Sequence, residues 1–367
     1  MVAYVTPAEM NGGILQFSTT IARETVGLTD FRLFLPNVIG NEYIRDIQDN
    51  VIYYSKKKTL KSTDSGVIAL ADQIASTIPN VVIFLEDTIL MQQVNAILHN
   101  RGIKTVLVVH DIEHHPYRNM SLRRMLVDGI RRLMTIRTVK NVDNVILLSN
   151  NSEAKFRERY KVTNTLVFRL SAHVPMVESS KPPEMSEEEN YYLFFGRLDE
   201  YKGIEILCQA YSKLSHDRKI KNKLIIAGRG VLSETEKQLI AQEDCIQLIQ
   251  RFISDYEMIW LFEHCQAVVL PYIEASQSGV LPIAYKFGRP VIVSKLDGLT
   301  ENVLPGVTGL VFNNESELTK CLEKIDSLFK SSGRNIKLYY EEQYDWKRNI
   351  GRLLFELNAM KQKRERH

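Results

Sequence analysis

The fold of this 367-residue chain is indicated most directly by the stretch YYLFFGRLDEYKG, residues Tyr191–Gly203. Its apolar start predicts a buried strand, and the loop that follows carries two glycines and the cations Arg197 and Lys202 ahead of a helical pattern. Parallel α/β sheets bind ligands outside the carboxyl ends of their strands, and a guanidinium beside an ammonium suits a diphosphate. The stretch therefore predicts an α/β domain with a phosphate-binding loop; an ordinary basic surface loop is the alternative.

The same alternation of strands and helices extends outward in both directions, which predicts parallel sheets with helices on both faces. A polar, acidic stretch with two prolines, Ser179–Asn190, predicts a surface loop near the start of a second domain. We predict domains of residues 1–170 with a returning helix at 347–367, and of residues 171–346. The predicted strands are Val2–Val5, Val81–Leu85, Thr105–Val109, Val145–Leu148, Tyr191–Phe195, Lys223–Ala227, Ile246–Ile249, Ala267–Leu270, Pro290–Val293 and Gly309–Phe312. The predicted helices lie at Ile14–Thr25, Ile89–His99, Ser121–Val139, Leu281–Phe287 and Trp346–Met360.

The composition is that of a soluble protein of two domains. Hydrophobic residues make up 44% of the chain, charged residues 25%, and the formal net charge is +3, which favours neither disorder nor nucleic-acid binding. The start lacks a signal-peptide pattern, and no run approaches the about 18 apolar residues of a membrane span. We expect a cytoplasmic protein with, at most, peripheral membrane contact. Its four cysteines lack C-x-x-C spacing and are expected to be free thiols: Cys208, Cys245, Cys265 and Cys321.

Two further segments of the second domain are suited to anion binding. IIAGRG, residues 225–230, is a strand that ends in Gly-x-Gly, which lets a ligand approach the backbone. YIEASQSGV, residues 272–280, precedes a predicted helix and places Ser278 and Gly279 at its N-terminus, where free N–H groups attract anions. Each has an ordinary structural alternative, but together with Arg197 and Lys202 they predict one phosphate site.

With these motifs in this order, residues 191–315 resemble the retaining glycosyltransferases of the GT-B fold, family 4 (group 1). The resemblance implies two Rossmann-like domains with parallel sheets facing across a cleft, the first on the acceptor side and the second binding a nucleotide-sugar. The first domain matches less densely, through Asn11-Gly12-Gly13, Val109-His110-Asp111 and Trp346. The motifs of the second are Gly196-Arg197-Leu198 with Lys202-Gly203, Gly228-Arg229-Gly230, Phe252–Glu257, Ser278-Gly279, Gly288–Ile292, Gly298–Glu301 and Val307–Phe312.

The resemblance also implies roles for individual residues. His110, Arg197 and Lys202 would be catalytic. One departure concerns the two glutamates that many relatives carry in the phosphate-loop region, because their positions are Ala275 and Ile283 here. Ribose contacts must then come from elsewhere. The residues expected to bind the donor nucleotide-sugar are Gly12, Gly13, Gly196, Gly228, Gly230, Phe252, Glu274, Ser276, Ser278, Gly279 and Val280.

No cofactor is expected beyond the nucleotide-sugar, which is a co-substrate. The sequence has no Asp-x-Asp metal motif, and Arg197 and Lys202 can stabilise the leaving diphosphate in place of a metal. We therefore predict no metal requirement. The nearest candidate ligands are Asp111, Glu113, His114 and His115.

A basic segment at residues 118–140 concerns the acceptor. It has seven basic residues and one acid with apolar residues at helical spacing, which suits an anionic membrane surface, although a solvated helix with a core-facing stripe fits equally. We predict transfer from a nucleotide-sugar, most often UDP-linked in this family, to a glycan or lipid-linked acceptor in surface polysaccharide biosynthesis. The alternatives are a binding or scaffold protein of the same fold, which Ala275 and Ile283 favour, and a UDP-sugar epimerase, for which no acid/base carboxylates can be placed.

Overall fold

The computed structural model describes residues 1–8, 13–37, 39, 44–55, 63–110, 135–175, 177–186 and 190–364. The chain divides into two compact units. One consists of Met1–Arg169 together with Trp346–His367, and the other of Leu170–Asp345. Each unit contains its own parallel sheet.

The sheet of the first unit has seven strands. They are β1 (Val2–Val5), β2 (Phe31–Pro36), β3 (Val51–Tyr54), β4 (Val81–Phe84), β5 (Thr105–Val109), β6 (Asn144–Leu147) and β7 (Thr165–Val167). Their order is β3-β2-β1-β4-β5-β6-β7, and every pairing is parallel. The strand order thus reverses between β1 and β4, which is the place where a doubly wound sheet opens a crevice at its carboxyl edge.

Helices of the first unit begin at polar caps and pack on this sheet. Asp64, Thr88 and Ser149 each accept a hydrogen bond from a backbone N–H of the first turn that follows. The helices are Gly13–Thr25, Ser65–Ser76, Ile89–Asn100, Asn150–Tyr160 and Trp346–Arg364, with a 3-10 helix at Arg45–Asn50 and helical residues at 135–141.

The C-terminal helix belongs to the first unit because aromatic side chains hold its start there. The ring centroid of Trp346 lies 6.0 Å from that of Phe17 and 5.8 Å from that of Phe168. Further along, the Lys104 ammonium donates to the carbonyl oxygen of Leu357 at 2.6 Å. The chain therefore returns from the second unit to complete the first.

The second unit is built on six parallel strands. They are β8 (Tyr191–Phe195), β9 (Lys223–Gly228), β10 (Ile246–Gln250), β11 (Ala267–Leu270), β12 (Val291–Ser294) and β13 (Gly309–Phe312). Their order is β10-β9-β8-β11-β12-β13, so this sheet reverses between β8 and β11. The helices are Ile204–Ser212, His216–Lys221, Glu234–Ala241, Asp255–His264, Val280–Lys286, Asp297–Thr300, Glu315–Phe329 and Gly333–Gln343.

The predicted α/β class with two parallel sheets is confirmed, and the predicted strands agree with the observed ones to within one residue at each end. The patterns missed β2, β3 and β7. β2 contains Arg32 and ends in Pro36. β3 is the half-buried edge strand of its sheet, and β7 is only three residues long.

The prediction of a surface loop at Ser179–Asn190 was wrong for its middle. Met185 is only 4% exposed and packs into the core of the second unit. A turn brings it inward, with the Met185 N–H donating to the carbonyl oxygen of Pro182 at 3.0 Å. Next to it, Glu184 forms an ion pair with Arg251 at 2.7 Å. The segment is therefore held against the domain despite its polar composition.

Candidate functional site

Loops that follow four neighbouring strands, β9, β8, β11 and β12, are joined at the carboxyl edge of the second sheet. Between the loops after β8 and β11, the Ile273 N–H donates to the carbonyl oxygen of Tyr201 at 2.8 Å. Gly203 allows the same approach, because a Cβ there would lie 2.0 Å from the carbonyl oxygen of Pro271 and the residue has a φ of +68°. These two loops flank the point where the strand order reverses, which is the expected ligand site in such a sheet.

Gly228, the last residue of β9, and Gly230, just beyond it, allow two backbone segments to pack closely. A Cβ on Gly228 would lie 1.7 Å from the carbonyl oxygen of Gly196, and one on Gly230 would lie 2.5 Å from that of Leu198. Both glycines have a φ near +150°, a region that side chains disfavour. On the side where a Cβ would lie, both glycines are therefore covered by the loop that carries Arg197.

Arg197 is the exposed cation of this loop. Its side chain is 66% exposed, and Nε lies 3.3 Å from Oδ2 of Asp199. Its guanidinium also donates to the hydroxyl of Tyr201 at 3.1 Å. Both contacts are made by guanidinium nitrogens, while most of the surface of the side chain as a whole stays exposed.

Lys202, by contrast, lies between aromatic rings. Its Nζ is 3.6 Å from the ring centroid of Tyr272 and 4.9 Å from that of Tyr201. Burial, reinforced by the positive charge of Arg197 and opposed by Asp199, lowers the pKa of Lys202 from 10.5 to about 7. The two cations therefore differ, because Arg197 is always charged whereas Lys202 titrates near neutral pH.

The Ser-Gly loop, residues Tyr272–Val280, follows β11 and contains several predicted ligand contacts. The Tyr272 hydroxyl lies 3.4 Å from Oγ of Ser278, which accepts a hydrogen bond from the Val280 N–H at 3.3 Å. Gly279 directly precedes the helix Val280–Lys286, as predicted from the sequence. Glu274 is exposed and Ser276 half-buried.

The turn after β12 packs closely against the backbone of the Ser-Gly loop. A Cβ on Gly298 would lie 2.3 Å from the carbonyl oxygen of Ser276 and 2.7 Å from that of Ala275. The neighbouring Leu299 is fully buried in the core. Gly298 is therefore needed for the close contact between the two loops.

The positions of the two missing glutamates are apolar in their surroundings as well. Ile283 is 9% exposed and belongs to the hydrophobic core of the unit, and Ala275 packs against that core.

Phe252 is 65% exposed in the loop after β10, which is the edge strand separated from β8 by β9. Its loop is joined to the next helix by Ser254, whose Oγ accepts from the Glu257 N–H at 3.4 Å.

His110 lies at the carboxyl end of β5 in the first unit. Its Nε2 donates to the carbonyl oxygen of Leu85 at 2.9 Å, and its ring meets Phe17 edge-on with centroids 5.2 Å apart. Because a carbonyl only accepts, Nε2 carries the hydrogen. Gly13 is exposed at the start of the helix after β1, and a Cβ there would meet nothing within 4 Å.

Several predicted features lie outside the described residues. Gly12 is one of them, as are Asp111, Glu113, His114 and His115 and the basic segment from 118 to 134. Among the residues that the structure does describe, no three His, Cys, Asp or Glu side chains are grouped as metal ligands. None of the helices in that part of the chain combines the length and apolar character of a bilayer crossing. All four cysteines are free, and Cys208 and Cys265 are buried.

The sequence analysis did not single out Tyr201 and Tyr272. The side chain of Tyr201 contacts Arg197 and Lys202, and that of Tyr272 contacts Lys202. The available signal was an aromatic residue directly beside Lys202 and another directly after the strand-end Pro271. Neither signal is specific, because the contact depends on β8 and β11 being neighbours in the sheet.

Comparison with known proteins identifies the domain that carries this site. Residues 176–349 match the family model of the group 1 glycosyl transferases. Over these residues, just under half of its length, the chain is similar to the group 1 glycosyl transferases. All the loops that join at the carboxyl edge of the second sheet lie within these residues.

Relatives of the glycosyl transferase domain occur among archaeal and bacterial proteins. An uncharacterized glycosyltransferase of Methanocaldococcus jannaschii is 27% identical over 183 residues, which cover 47% of this chain and 46% of that protein. The O-antigen chain mannosyltransferase B of Escherichia coli is 23% identical over 275 residues, or 69% of each chain. The match therefore spans about half the length of the first relative and somewhat more of the second.

In fold, the whole chain is similar to solved glycosyltransferases. Anabaena HepE, crystallised in complex with UDP, superposes with a TM-score of 0.74 and 15% identity over 98% of this chain and 99% of that one. This likeness shows that the two parallel-sheet units have the fold of the GT-B glycosyltransferases.

Proposed function

We propose that this protein is a glycosyltransferase that transfers a sugar from a UDP-sugar to a glycan or lipid-linked acceptor, with retention of anomeric configuration. The observation that carries the proposal is the pairing of Arg197 and Lys202 at the strand-order reversal of a group 1 glycosyl transferase domain. UDP is chosen because a protein of the same fold was crystallised with it.

The chemistry follows from the leaving group. As the glycosidic bond breaks, negative charge develops on the β-phosphate, and preorganised cations lower the energy of that state. Arg197 can form a forked contact to phosphate oxygens, whereas Lys202 supplies a point charge from a partly dehydrated position. Loss of either cation is expected to cost about 2–4 kcal/mol of transition-state stabilisation, as for an oxyanion-hole donor.

The remaining predicted residues have supporting roles in this proposal. Backbone N–H groups near Ser278 and Gly279 would bind phosphate oxygens, and Glu274 would bind hydroxyls of the donor sugar. In the first unit, which we propose as the acceptor side, His110 would bind a sugar hydroxyl. Ribose contacts would come from backbone groups, because Ile283 is apolar and lies in the core.

We propose that catalysis needs no metal ion, because the two cations neutralise the diphosphate. The acceptor class is drawn from the relative named an O-antigen chain mannosyltransferase, whose name supports a proposed role in surface polysaccharide biosynthesis. Contact with an anionic membrane through residues 118–140 would bring the enzyme to a lipid-linked acceptor.

The test is release of nucleoside diphosphate from a panel of UDP-, GDP- and dTDP-sugars, with lipid-linked oligosaccharides as acceptors and EDTA present. Acceptor-dependent release of UDP, lost in Arg197→Ala and Lys202→Ala, is the expected result. The double variant Arg334→Ala/Lys337→Ala is the matched control, because it removes two exposed cations from the helix Gly333–Gln343 of the same unit. Turnover only after addition of Mg²⁺ or Mn²⁺ would refute metal independence, and an inverted product by NMR would refute retention.

The second candidate is a binding protein of the same fold without turnover, which the apolar Ala275 and Ile283 favour. It predicts nucleotide binding without product from any donor and acceptor. Product formation by the wild type excludes it.

A further inference from the structure

The ammonium group of Lys202 lies on the face of a buried aromatic ring. Its Nζ is 3.6 Å from the ring centroid of Tyr272, well within the about 6 Å over which a ring attracts a cation. Tyr272 itself is only 2% exposed. Within the part of the chain that the structure describes, Lys202 forms no ion pair with a carboxylate. The Tyr272 ring therefore positions the Lys202 ammonium without supplying a negative charge that would neutralise it.

The position of the ring is itself fixed by its neighbours. The Ser294 hydroxyl donates to the backbone carbonyl oxygen of Tyr272 at 2.6 Å, which ties the loop to the end of β12. At the other end of the side chain, the Tyr272 hydroxyl lies 3.4 Å from Oγ of Ser278. Tyr272 thus contacts both Lys202 and Ser278. These are two of the residues predicted to lie at the phosphate site.

The charges that act on Lys202 come from its own loop. Burial is the main cause of its lowered pKa of about 7, the positive charge of Arg197 adds to the effect, and Asp199 opposes it. The rings that contact it belong to Tyr201 and Tyr272. The other ionisable side chains on the neighbouring loops after β11 and β12 are Glu274, Lys295, Asp297 and Glu301.

We propose that Tyr272 is a positioning residue for Lys202, whose ring holds the amine at the diphosphate site in place of a carboxylate, and that diphosphate binding draws a proton onto Lys202. This inference rests on the proposed function, because the ligand is the diphosphate of the donor. The incoming diphosphate supplies a counter-charge directly to Lys202, so the neutral amine takes up H⁺ from solvent and becomes an ammonium ion.

The sign of the resulting pH dependence follows from linkage. A bound diphosphate favours the charged amine, so the pKa of Lys202 is higher in the complex than in the free protein. The complex then holds more protons, and affinity falls as the pH rises above the free pKa of about 7. The limit is a tenfold loss for each pH unit, reached when one full proton is taken up.

Two matched variants separate the ring of Tyr272 from its hydroxyl. Both Tyr272→Phe and Tyr272→Leu lose the contact to Ser278, but only Tyr272→Leu loses the aromatic face. Because the ring stabilises the charged amine, Tyr272→Leu should lower the pKa of Lys202. Affinity should then begin to fall at a pH about half to one unit lower than in the wild type. Tyr272→Phe should keep the shape of the wild-type pH profile, because it keeps the ring over Lys202. A merely structural role of Tyr272 would lower affinity equally at every pH.

The experiment is calorimetric titration with UDP, and with GDP and dTDP in parallel, between pH 7 and 9 in buffers of different ionisation enthalpy. That range lies above the second phosphate ionisation of the ligand, about 6. We expect the wild type and Tyr272→Phe to take up a fraction of a proton, Tyr272→Leu to show the shifted profile, and Lys202→Arg to be independent of pH. Thermal unfolding of each variant checks that it is folded.

The outcomes distinguish the two proposals. Binding that is equally pH-independent in the wild type and in Lys202→Arg overturns the proton uptake but leaves the proposed function standing. Identical profiles for Tyr272→Leu and Tyr272→Phe overturn the role of the ring. If none of the three nucleotides binds, the proposed function has failed, and this inference fails with it.

Discussion

The substitution Gly298→Ala tests whether the turn after β12 positions the Ser-Gly loop. Gly298 lies in the short helix Asp297–Thr300, where helix propensity alone favours alanine by about 1 kcal/mol. The structure predicts the opposite effect. A Cβ would lie 2.3 Å from the carbonyl oxygen of Ser276, and real Cβ contacts are essentially never below 3.0 Å, so a shift of at least 3.0 − 2.3 = 0.7 Å is required.

The expected magnitude has two parts. Overpacking of this kind costs about 1–3 kcal/mol of unfolding free energy, which outweighs the gain in helix propensity. The displaced Ser-Gly loop would also weaken one or two hydrogen bonds to phosphate, each worth about 0.5–1.5 kcal/mol, so the affinity for UDP should fall about tenfold. Urea unfolding measures the first part and calorimetric titration with UDP the second.

Gly351→Ala is the matched control for this substitution. Gly351 lies in the helix Trp346–Arg364 of the first unit, and a Cβ there would meet nothing within 4 Å. We expect it to raise stability by about 0.5–1 kcal/mol and to leave UDP affinity unchanged. If Gly298→Ala is as stable and binds UDP as tightly as the control, the turn does not support the loop and the reasoning is wrong.

Three further predictions concern stability. Trp346→Ala should cost about 3–5 kcal/mol of unfolding free energy by calorimetry, because the buried ring packs on Phe17, and a loss below 1 kcal/mol would contradict that packing. Ser254→Ala should cost about 1 kcal/mol in urea, since its hydroxyl caps the helix Asp255–His264, whereas an unchanged urea midpoint would show that the cap is dispensable. Arg251 lowers the pKa of Glu257 to about 2, so stability from this pair is present above pH 4.5 and lost as the pH falls towards 2. Arg251→Met should flatten this part of the acid-unfolding profile; an unaltered profile would count against the ion pair.

The sequence predicted those parts of the fold whose signal is local. Strands such as β8 and β11 are short, continuous apolar runs followed by glycine, proline or cations, and these patterns placed their ends within one residue. The strands β3 and β7 were missed: β3 is a half-buried edge strand of four residues, and β7 has only three residues. The burial of Met185 depends on tertiary contacts that a polar composition conceals.

The candidate site was predictable in its residue types but not in its contacts. Arg197 and Lys202 were identified from one loop, yet their difference in exposure and pKa arises from the rings around Lys202. The Tyr272 ring comes from the loop after β11, a strand that pairs with β8 although β9 and β10 intervene in the chain. Likewise, a glycine pattern indicates close approach at Gly228 but not that the approaching group is the chain's own backbone.

The most direct test of the account is calorimetric titration of UDP in EDTA, with the wild type beside Arg197→Ala/Lys202→Ala and the control Arg334→Ala/Lys337→Ala. We predict that the wild type and the control bind UDP with equal affinity and without added metal, and that the first double variant loses at least a hundredfold. Equal binding by all three proteins would contradict the assignment of the diphosphate site to Arg197 and Lys202, and binding by none of them would contradict the UDP-sugar donor.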